Sequence, residues 1–263
     1  MSNIDLKNIV KEKYSEIASL PIISSSSCCG SDITIDIATM KDDYTNVEGY
    51  FNEADLGLGC GIPTEYAAIK EGDIVLDLGS GAGNDVFIAR RMAGVKGKVV
   101  GLDMTEKMIE KANDNKTKLG YENVEFVLGD IEQMPFDDNM FDLVISNCVL
   151  NLVPDKEKAF SEIFRVLKPG GHFCISDIVI EGVLPEKLYE VATLYVGCVS
   201  GALNQDTYLD IVKNSGFSKV QIRKEKQINI PDTVYLKYLE QSEYDHFKQQ
   251  NIRIKSITLT AQK

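Results

Sequence analysis

The cysteines of this 263-residue chain are the side chains with the most distinctive chemistry, and they lie at positions 28, 29, 60, 148, 174 and 198. A deprotonated thiol is a strong nucleophile and a soft ligand that selects thiophilic ions. No pair has the two-residue separation of a zinc site. Three stand in glycine-rich or polar contexts, and a thiophilic atom could bind between them if the fold brings them together: Cys60, Cys148 and Cys198.

A second group of residues, 75–83, reads Val-Leu-Asp-Leu-Gly-Ser-Gly-Ala-Gly and is typical of a ligand-binding turn from a strand into a helix. Gly79, Gly81 and Gly83 would let the backbone approach a ligand closely. Asp103 lies 20 positions after Gly83, where a carboxylate can accept hydrogen bonds from both ribose hydroxyls. The G-x-G-x-G spacing differs from the dinucleotide G-x-G-x-x-G, and Asp77 would meet an ammonium group and not a pyrophosphate. These features favour S-adenosylmethionine as the ligand.

The elements that must position these residues follow from the hydrophobic pattern. Short apolar runs bounded by turn residues predict strands, and apolar residues at helical spacing predict helices. Their alternation predicts an α/β fold with a doubly wound, mainly parallel, seven-stranded Rossmann-like sheet. The predicted strands are 74–78, 98–103, 124–128, 141–146, 172–178, 219–226 and 254–261, and the predicted helices are 1–20, 84–93, 105–119, 157–167 and 205–215.

Two parts of the chain are predicted from this pattern. Residues 1–70 form an N-terminal extension, a helix plus cysteine-bearing loops that cover the active site. Residues 71–263 form the main domain, with a substrate-binding insertion at about 180–204. Ligands in such sheets bind beyond the carboxyl ends of the strands. The extension, the end of the fourth strand and the insertion would all face that ligand, and each carries one of the three cysteines.

Composition excludes several classes of partner. A formal net charge of −12 repels a phosphate backbone, and the densest basic cluster, Arg223-Lys224-Glu225-Lys226, is interrupted by acid. No stretch approaches the roughly 20 apolar residues of a membrane span. Charged residues occupy the N-terminus where a signal peptide would be apolar. We therefore expect a cytoplasmic protein without nucleic-acid or membrane partners and, lacking a long apolar repeat, a monomer.

Residues 72–180 resemble the class I S-adenosylmethionine-dependent methyltransferases. The resemblance rests on VLDLGSGAG, the strand end at Asp103, the run Leu128-Gly129-Asp130-Ile131 and the Leu167-Lys168-Pro169-Gly170-Gly171 turn. It implies that Asp130 bonds the adenine amino group, with Ile131 beside the ring, and that Asn147 sits under the cofactor. The cofactor site so implied consists of Asp77, Gly79, Gly81, Gly83, Asp103, Met104, Asp130, Ile131 and Asn147.

Segments 50–61, 146–152 and 197–203 look like those of the arsenite methyltransferases, and this likeness extends over nearly the whole chain. The resemblance implies that Cys60, Cys148 and Cys198 bind trivalent arsenic, as arsenite or methylarsenite, for methylation in arsenic detoxification. An N-terminal cysteine, matched by Cys28 or Cys29, would take part in thiol–disulfide cycling. Glutathione or thioredoxin would be the thiol reductant. Longer members carry a C-terminal domain, which we expect this chain to lack.

The main alternative is a C-, N- or O-methyltransferase of the quinone or sterol type, in which the cysteines are core residues. A non-catalytic arsenic or antimony sensor is a second alternative, but it leaves the cofactor signature without a purpose. Transfer to an O–H or N–H group would favour a nearby general base. His172 and His246 stand at a strand start and in a charged segment, and Cys174 lies within a strand, so all three are expected to be structural or exposed.

Overall fold

The computed structural model describes residues 3–19, 42–189, 201–250 and 252–263. Cys28, Cys29 and Cys198 lie outside the described residues, as do part of the predicted extension and part of the predicted insertion. Among the described residues no helix is at once long enough and apolar enough to cross a bilayer. The strands are β1 (Ile74–Leu78), β2 (Lys98–Asp103), β3 (Val124–Leu128), β4 (Phe141–Asn147), β5 (Leu167–Glu181), β6 (Ser218–Gln227) and β7 (Arg253–Gln262).

The strands form one sheet in the order β3-β2-β1-β4-β5-β7-β6. β1 to β5 pair in parallel, and β7 pairs antiparallel with both β5 and β6. The prediction of a doubly wound, mainly parallel seven-stranded sheet is therefore confirmed. Because strand order reverses between β1 and β4, the connections that follow these two strands leave to opposite faces of the sheet, and a crevice where a ligand can bind lies beyond the carboxyl ends.

Helices cover both faces of the sheet, which is why β1 and β4 are apolar on both sides. Alternate residues of β1 face opposite layers: Leu76 lies in a core with Phe160 and Tyr208, while Val75 lies in a core with Phe87. The described helices are α1 (Asn3–Ser19), α2 (Asn84–Ala93), α3 (Glu106–Leu119), α4 (Lys156–Val166), α5 (Glu186–Tyr189), α6 (Gln205–Asn214), α7 (Asp232–Tyr235) and α8 (Gln241–Gln249).

The predicted element boundaries were wrong in two places. β5 was predicted to begin at residue 172, but it begins at Leu167, which pairs with Phe141, and it continues to Glu181 alongside β7. The sequence pattern predicts no helix in the charged segment before β7, whereas the structure has α7 and α8 there. The side chains of Glu240 and Glu243 form a capping box at the start of α8, and Tyr244 and Phe247 bury one face of that helix.

Candidate functional site

The turn after β1 has the backbone geometry that only glycine adopts readily. Gly79 and Gly81 have φ angles of 66° and 51°, in the left-handed region. The N–H groups of Gly79 and Ser80 donate to the carbonyl of Leu102, at 2.8 and 3.0 Å, and tie the turn to the end of β2. A Cβ at Gly79 would overlap the Val149 side chain, whereas one at Gly81 would meet nothing within 4 Å. Gly81 thus faces open space, and Gly79 lets the turn approach the end of β4.

Gly83 has a different position from the other two glycines. It is the N-cap of α2, with a φ of 98°. A Cβ there would lie 2.8 Å from Phe126 and 2.9 Å from Phe87, both of which belong to the core between α2 and the sheet. Gly83 does not line the pocket that the structure describes beside Gly79 and Gly81. In this structure it permits close approach of α2 to the sheet.

A single pocket brings together most of the predicted cofactor residues, at the crevice between β1 and β4. Gly59 and Cys148 line the same pocket, as do Lys7, Val10 and Tyr14 of α1. The predicted residues that line it are Asp77, Gly79, Gly81, Asp103, Met104, Asp130, Ile131 and Asn147.

Buried carboxylates make one side of this pocket strongly acidic. Asp77 is 3% exposed at the end of β1, and burial raises its pKa well above the usual value, with further contributions from Asp85 and Asp103. Burial also raises the pKa of Asp103, although Thr105 and Gly81 donate backbone hydrogen bonds that lower it. Those two bonds, at 2.8 and 2.9 Å, fix the Asp103 carboxylate at the carboxyl end of β2. A cationic ligand would relieve the repulsion among these carboxylates.

Asp130 lines the same pocket and is in contact with α1. The Lys7 ammonium is 2.6 Å from one oxygen of Asp130 and 2.7 Å from Glu132. The other Asp130 oxygen accepts a hydrogen bond from the Glu132 backbone at 2.9 Å. These contacts hold the Asp130 carboxylate at the rim of the pocket, and Ile131 beside it is buried.

The residues of the pocket fit S-adenosylmethionine on two observations of this structure. Nothing lies within 4 Å of the position that a Cβ would occupy at Gly81, so a ligand can contact the backbone there. Among the described residues, the buried oxygens of Ser80 and Asn84 have no hydrogen-bond partner although both residues line the pocket. Unsatisfied buried oxygens and a carboxylate cluster suit a ligand that carries hydroxyl and ammonium groups.

Of the three predicted arsenic ligands, Cys148 lines this pocket and Cys60 follows Gly59, which also lines it; we call this part of the pocket the thiol end. Cys60 and Cys148 are 1% and 4% exposed and belong to one cluster of buried side chains. Cys148 has a φ of 60°, an unusual conformation for a residue with a side chain, and its N–H donates to the Ser176 carbonyl at 2.7 Å. Strain of this kind is concentrated at functional sites. Cys198, the third predicted ligand, lies outside the described residues together with Cys28 and Cys29.

Asn147 connects the two cysteines, although it was predicted only as a cofactor residue. It precedes Cys148 at the end of β4, and its side-chain oxygen accepts hydrogen bonds from the N–H groups of Cys60 and Gly61. Sequence reasoning missed its partners, Tyr44 and Asp85. Asp85 could have been suspected as a carboxylate in the first turn after the glycine loop, but nothing near Tyr44 in the sequence signals a role.

The histidines and Cys174 have the structural or exposed positions that the sequence predicted. His172 Nε2 lies 2.7 Å from the Ala67 carbonyl, and His246 is exposed. The Cys174 thiol is buried and donates to the Pro63 carbonyl at 3.1 Å. Burial raises the pKa of this thiol to about 12, so it stays protonated at neutral pH.

Comparison with known proteins finds methyltransferases, several of them arsenite methyltransferases. The family described as "Methyltransferase domain" matches residues 69–216, more than half of the chain. An arsenite methyltransferase of Halobacterium salinarum is 39% identical over 234 residues, which cover 83% of this chain and 59% of the relative. A ubiquinone/menaquinone biosynthesis C-methyltransferase of Escherichia coli is 30% identical over 177 residues, which cover 59% of this chain and 70% of that relative.

A solved structure extends the likeness to three dimensions. The crystal structure of an arsenic (III) S-adenosylmethionine methyltransferase from Chlamydomonas reinhardtii matches with a TM-score of 0.67 and 33% identity, over 90% of this chain and 75% of that one. The chain spans between 40% and 59% of the length of five arsenite methyltransferases that it matches. It therefore corresponds to about half of those curated relatives.

Proposed function

The chain belongs to the arsenite methyltransferase family of class I S-adenosylmethionine-dependent methyltransferases, and from that premise we propose that it methylates trivalent arsenic held by cysteine thiolates. The main support for this function is that Cys148 lines the same pocket as the glycine loop, and that Cys60, next to the lining residue Gly59, is buried in one cluster with Cys148. Cys198 is proposed as the third ligand, and Cys28 or Cys29 as the cysteine that takes part in thiol–disulfide cycling.

The proposed roles of the cofactor residues follow from their positions. When bound, S-adenosylmethionine supplies an electrophilic methyl group on a sulfonium. Asp77 would hold the ammonium group, Asp103 would accept hydrogen bonds from the ribose, and Asp130 would accept one from the adenine amino group. Gly79 and Gly81 would admit the ligand against the backbone, with Met104 and Ile131 as apolar neighbours. Gly83 would act beneath them by seating α2 against the sheet.

The proposed thiolates bind and orient the substrate. Arsenic bound by three sulfurs is pyramidal, with its lone pair on the open face. That lone pair is the nucleophile, so no side chain has to remove a proton, in agreement with the positions of His172 and His246. Positioning of this kind can contribute up to roughly 7–11 kcal/mol in favourable cases. Cys148 and Cys60 lie in apolar surroundings, which exclude water from the bound arsenic.

Several further properties belong to the same proposal. Attack by the arsenic lone pair would form an arsenic–carbon bond while the bond between the methyl group and the sulfonium breaks, with S-adenosylhomocysteine as the leaving group. Arsenic would then be at the pentavalent level, and two electrons from a thiol reductant such as glutathione or thioredoxin, oxidised to its disulfide, would return it to the trivalent state. Arsenite and methylarsenite would both be substrates, in arsenic detoxification. We propose a monomer that acts in the cytoplasm, because the cytoplasm keeps thiols reduced.

The decisive experiment compares Cys60→Ser and Cys148→Ser with Cys174→Ala as the matched control. Each of the first two should lower the rate of arsenite methylation by at least about a hundredfold and leave the Kd for S-adenosylmethionine within about threefold of wild type. Cys174→Ala should keep both properties and lose only stability. Methylarsenicals are measured after incubation with arsenite, a thiol and labelled cofactor. Full activity in both serine variants would refute the thiolate site.

The similarity to a quinone-pathway C-methyltransferase supports one alternative, methylation of carbon in a quinone precursor. The same assay with a demethylated quinone precursor in place of arsenite separates the two functions. Methylation of the quinone precursor that is unaffected by Cys60→Ser would favour the alternative. Methylation of arsenite alone would favour the function proposed here.

A further inference from the structure

The Asn147 side chain holds the backbone on both sides of the Cys60–Gly61 peptide. Its Oδ1 accepts hydrogen bonds from Cys60 N at 3.1 Å and from Gly61 N at 3.3 Å. Its Nδ2 donates to the Gly61 carbonyl at 2.9 Å. Asn147 is also the residue that precedes Cys148 in the chain. One side chain therefore fixes the backbone of Cys60 relative to the backbone of Cys148, although the two cysteines are far apart in the sequence.

The loop that carries Cys60 is in close contact with these neighbours. A Cβ at Gly59 would lie 2.5 Å from Asn147 Nδ2, and a Cβ at Gly61 would lie 2.6 Å from Ser176 Oγ. The Cys60 carbonyl accepts a hydrogen bond from Ser256 Oγ at 2.6 Å. The two glycines thus allow the loop to lie directly against side chains of β4 and β5.

Two buried groups orient Asn147 in turn. Its Nδ2 lies 2.7 Å from the Tyr44 hydroxyl and 3.0 Å from Asp85 Oδ2. The Tyr44 hydroxyl lies 2.9 Å from the Gly61 carbonyl and 3.0 Å from Asp85 Oδ1, both of which can accept its proton. Tyr44 is 4% exposed and Asp85 is 8% exposed. An ionised Asp85 carboxylate can only accept hydrogen bonds, and Asn147 Nδ2 can only donate them. The Asn147 amide is therefore favoured in the orientation that points Nδ2 at Asp85 and Oδ1 at the Cys60 loop.

We propose that Asn147, Tyr44 and Asp85 are positioning residues for the arsenic site, and that their hydrogen bonds hold Cys60 beside Cys148 before arsenic binds. This inference rests on the proposed function, which assigns arsenic to these thiols. Asn147 would then position the loop that carries Cys60, to which its amide is hydrogen-bonded, in addition to its predicted place under the cofactor. Preorganisation of this kind lowers the free energy cost of ordering ligands when the substrate binds.

The test uses Tyr44→Phe in the full chain, because it removes the hydroxyl and keeps the buried ring. Arsenite alone is the probe, and bound arsenic is measured by equilibrium dialysis. We expect the Kd and the KM for arsenite to rise about tenfold, as for loss of a buried hydrogen bond, while kcat and the Kd for S-adenosylmethionine stay within about twofold. Tyr50→Phe is the matched control, since its ring stacks on Tyr44 but its hydroxyl bonds Asn52 and Asp55.

A second pair of variants tests the polarity of the network. Asn147→Asp removes the amide donor and sets a carboxylate against Asp85, so arsenite binding should weaken. When Asp85→Asn is added to that variant, the amide at position 85 can donate a hydrogen bond to the carboxylate at position 147. The double variant should therefore recover part of the affinity for arsenite. A residue that only stabilises the fold would not give this recovery of arsenite affinity. Cooperative thermal unfolding shows that each variant is folded, and if Asn147→Asp does not fold, Tyr44→Phe alone decides.

The outcomes separate this inference from the proposed function. Wild-type protein that binds no arsenite refutes the proposed function itself. Loss of arsenite binding in Cys60→Ser together with wild-type affinity in Tyr44→Phe keeps the function and overturns the positioning role. Equal loss in Asn147→Asp and in the double variant overturns the role of Asp85. Selective loss in Tyr44→Phe, with recovery in the double variant, supports the network.

Discussion

The two ends of the pocket are built in different ways. The cofactor end is assembled locally: the loop at 79–83 follows β1, and Asp103 ends the neighbouring strand, which pairs with β1 along its whole length. The thiol end is assembled from distant segments, since Asn147 bonds to the Cys60 loop across 87 positions and Ser256 bonds to the Cys60 carbonyl across 196. Neighbouring elements therefore create most of the first site, apart from Asp130, which Lys7 of α1 contacts across 123 positions, and contacts between distant segments create the second.

This difference has a physical cause. A strand, a glycine turn and a helix produce a ligand cradle whenever they form, because their backbone groups already point at the ligand. Cysteine ligands need side chains from separate segments at one place, and each segment must be held there by its own hydrogen bonds. We therefore expect substitutions at the cofactor end to act through backbone geometry, and substitutions at the thiol end to act through side-chain networks.

The largest expected effect of a single substitution on stability is at the cofactor end. Gly79→Ala adds a Cβ that overlaps the Val149 side chain, at a φ of 66°, and should lower the free energy of unfolding by about 3 kcal/mol, from backbone strain plus overcrowding. Gly120→Ala is the matched control, since its φ is 65° and nothing lies within 4 Å. It should cost about 1 kcal/mol. Urea unfolding measures both, and equal losses would show that the contact with Val149 does not matter.

A smaller effect on the free energy of unfolding is expected from Asp85 at the thiol end, and it depends on pH. Burial raises the pKa of Asp85 to about 6, so the folded state binds a proton at higher pH than the unfolded state. Wild type should therefore gain stability relative to Asp85→Asn as the pH falls from about 7 toward about 4, by on the order of 2 kcal/mol. Urea unfolding of both proteins across this range checks the sign. A constant difference between them would mean that the buried carboxylate does not titrate in this range.

The next effect concerns ligand affinity and not stability. Gly81→Ala has a φ of 51° and no neighbour within 4 Å, so its cost in stability should match that of Gly120→Ala. Because the added Cβ would stand in the pocket, the Kd for S-adenosylmethionine should rise by at least about tenfold. Calorimetric titration with the cofactor measures this. Unchanged affinity in Gly81→Ala would place the cofactor away from the glycine loop.

The smallest effect is expected where α1 meets the rim of the pocket. Lys7→Ala removes a partly exposed ion pair with Asp130 and Glu132, which should cost about 0.2–1 kcal/mol of stability. The Kd for S-adenosylmethionine should change by less than about threefold. Lys13→Ala, which removes an ion pair with Glu16 on the same helix, is the control. A large loss of cofactor affinity in Lys7→Ala alone would make α1 part of the cofactor site and remove the contrast between the two ends.

The sequence by itself determined the sheet and the cofactor end of the pocket. Strand and helix periodicity, with glycines at 79, 81 and 83, predicts a turn from a strand into a helix, although the packing of that turn against Val149 and Phe126 is a tertiary contact. Asp103 could be placed for the same reason, since parallel strands align their carboxyl ends at one edge. The extent of β5 and the presence of α7 and α8 could not be read in this way, because pairing with β7 and burial of Tyr244 and Phe247 decide them.

Only the tertiary structure decided how the thiol end is held together. The sequence placed Cys60 and Cys148 in segments that face the ligand, but it contained no sign that Asn147 bonds to the Cys60 loop. It also gave no sign that Tyr44 and Asp85 orient the amide of Asn147, or that Gly61 lies against Ser176. Side-chain hydrogen bonds between distant segments leave no periodicity in the chain, since their donors and acceptors meet only after the sheet has formed.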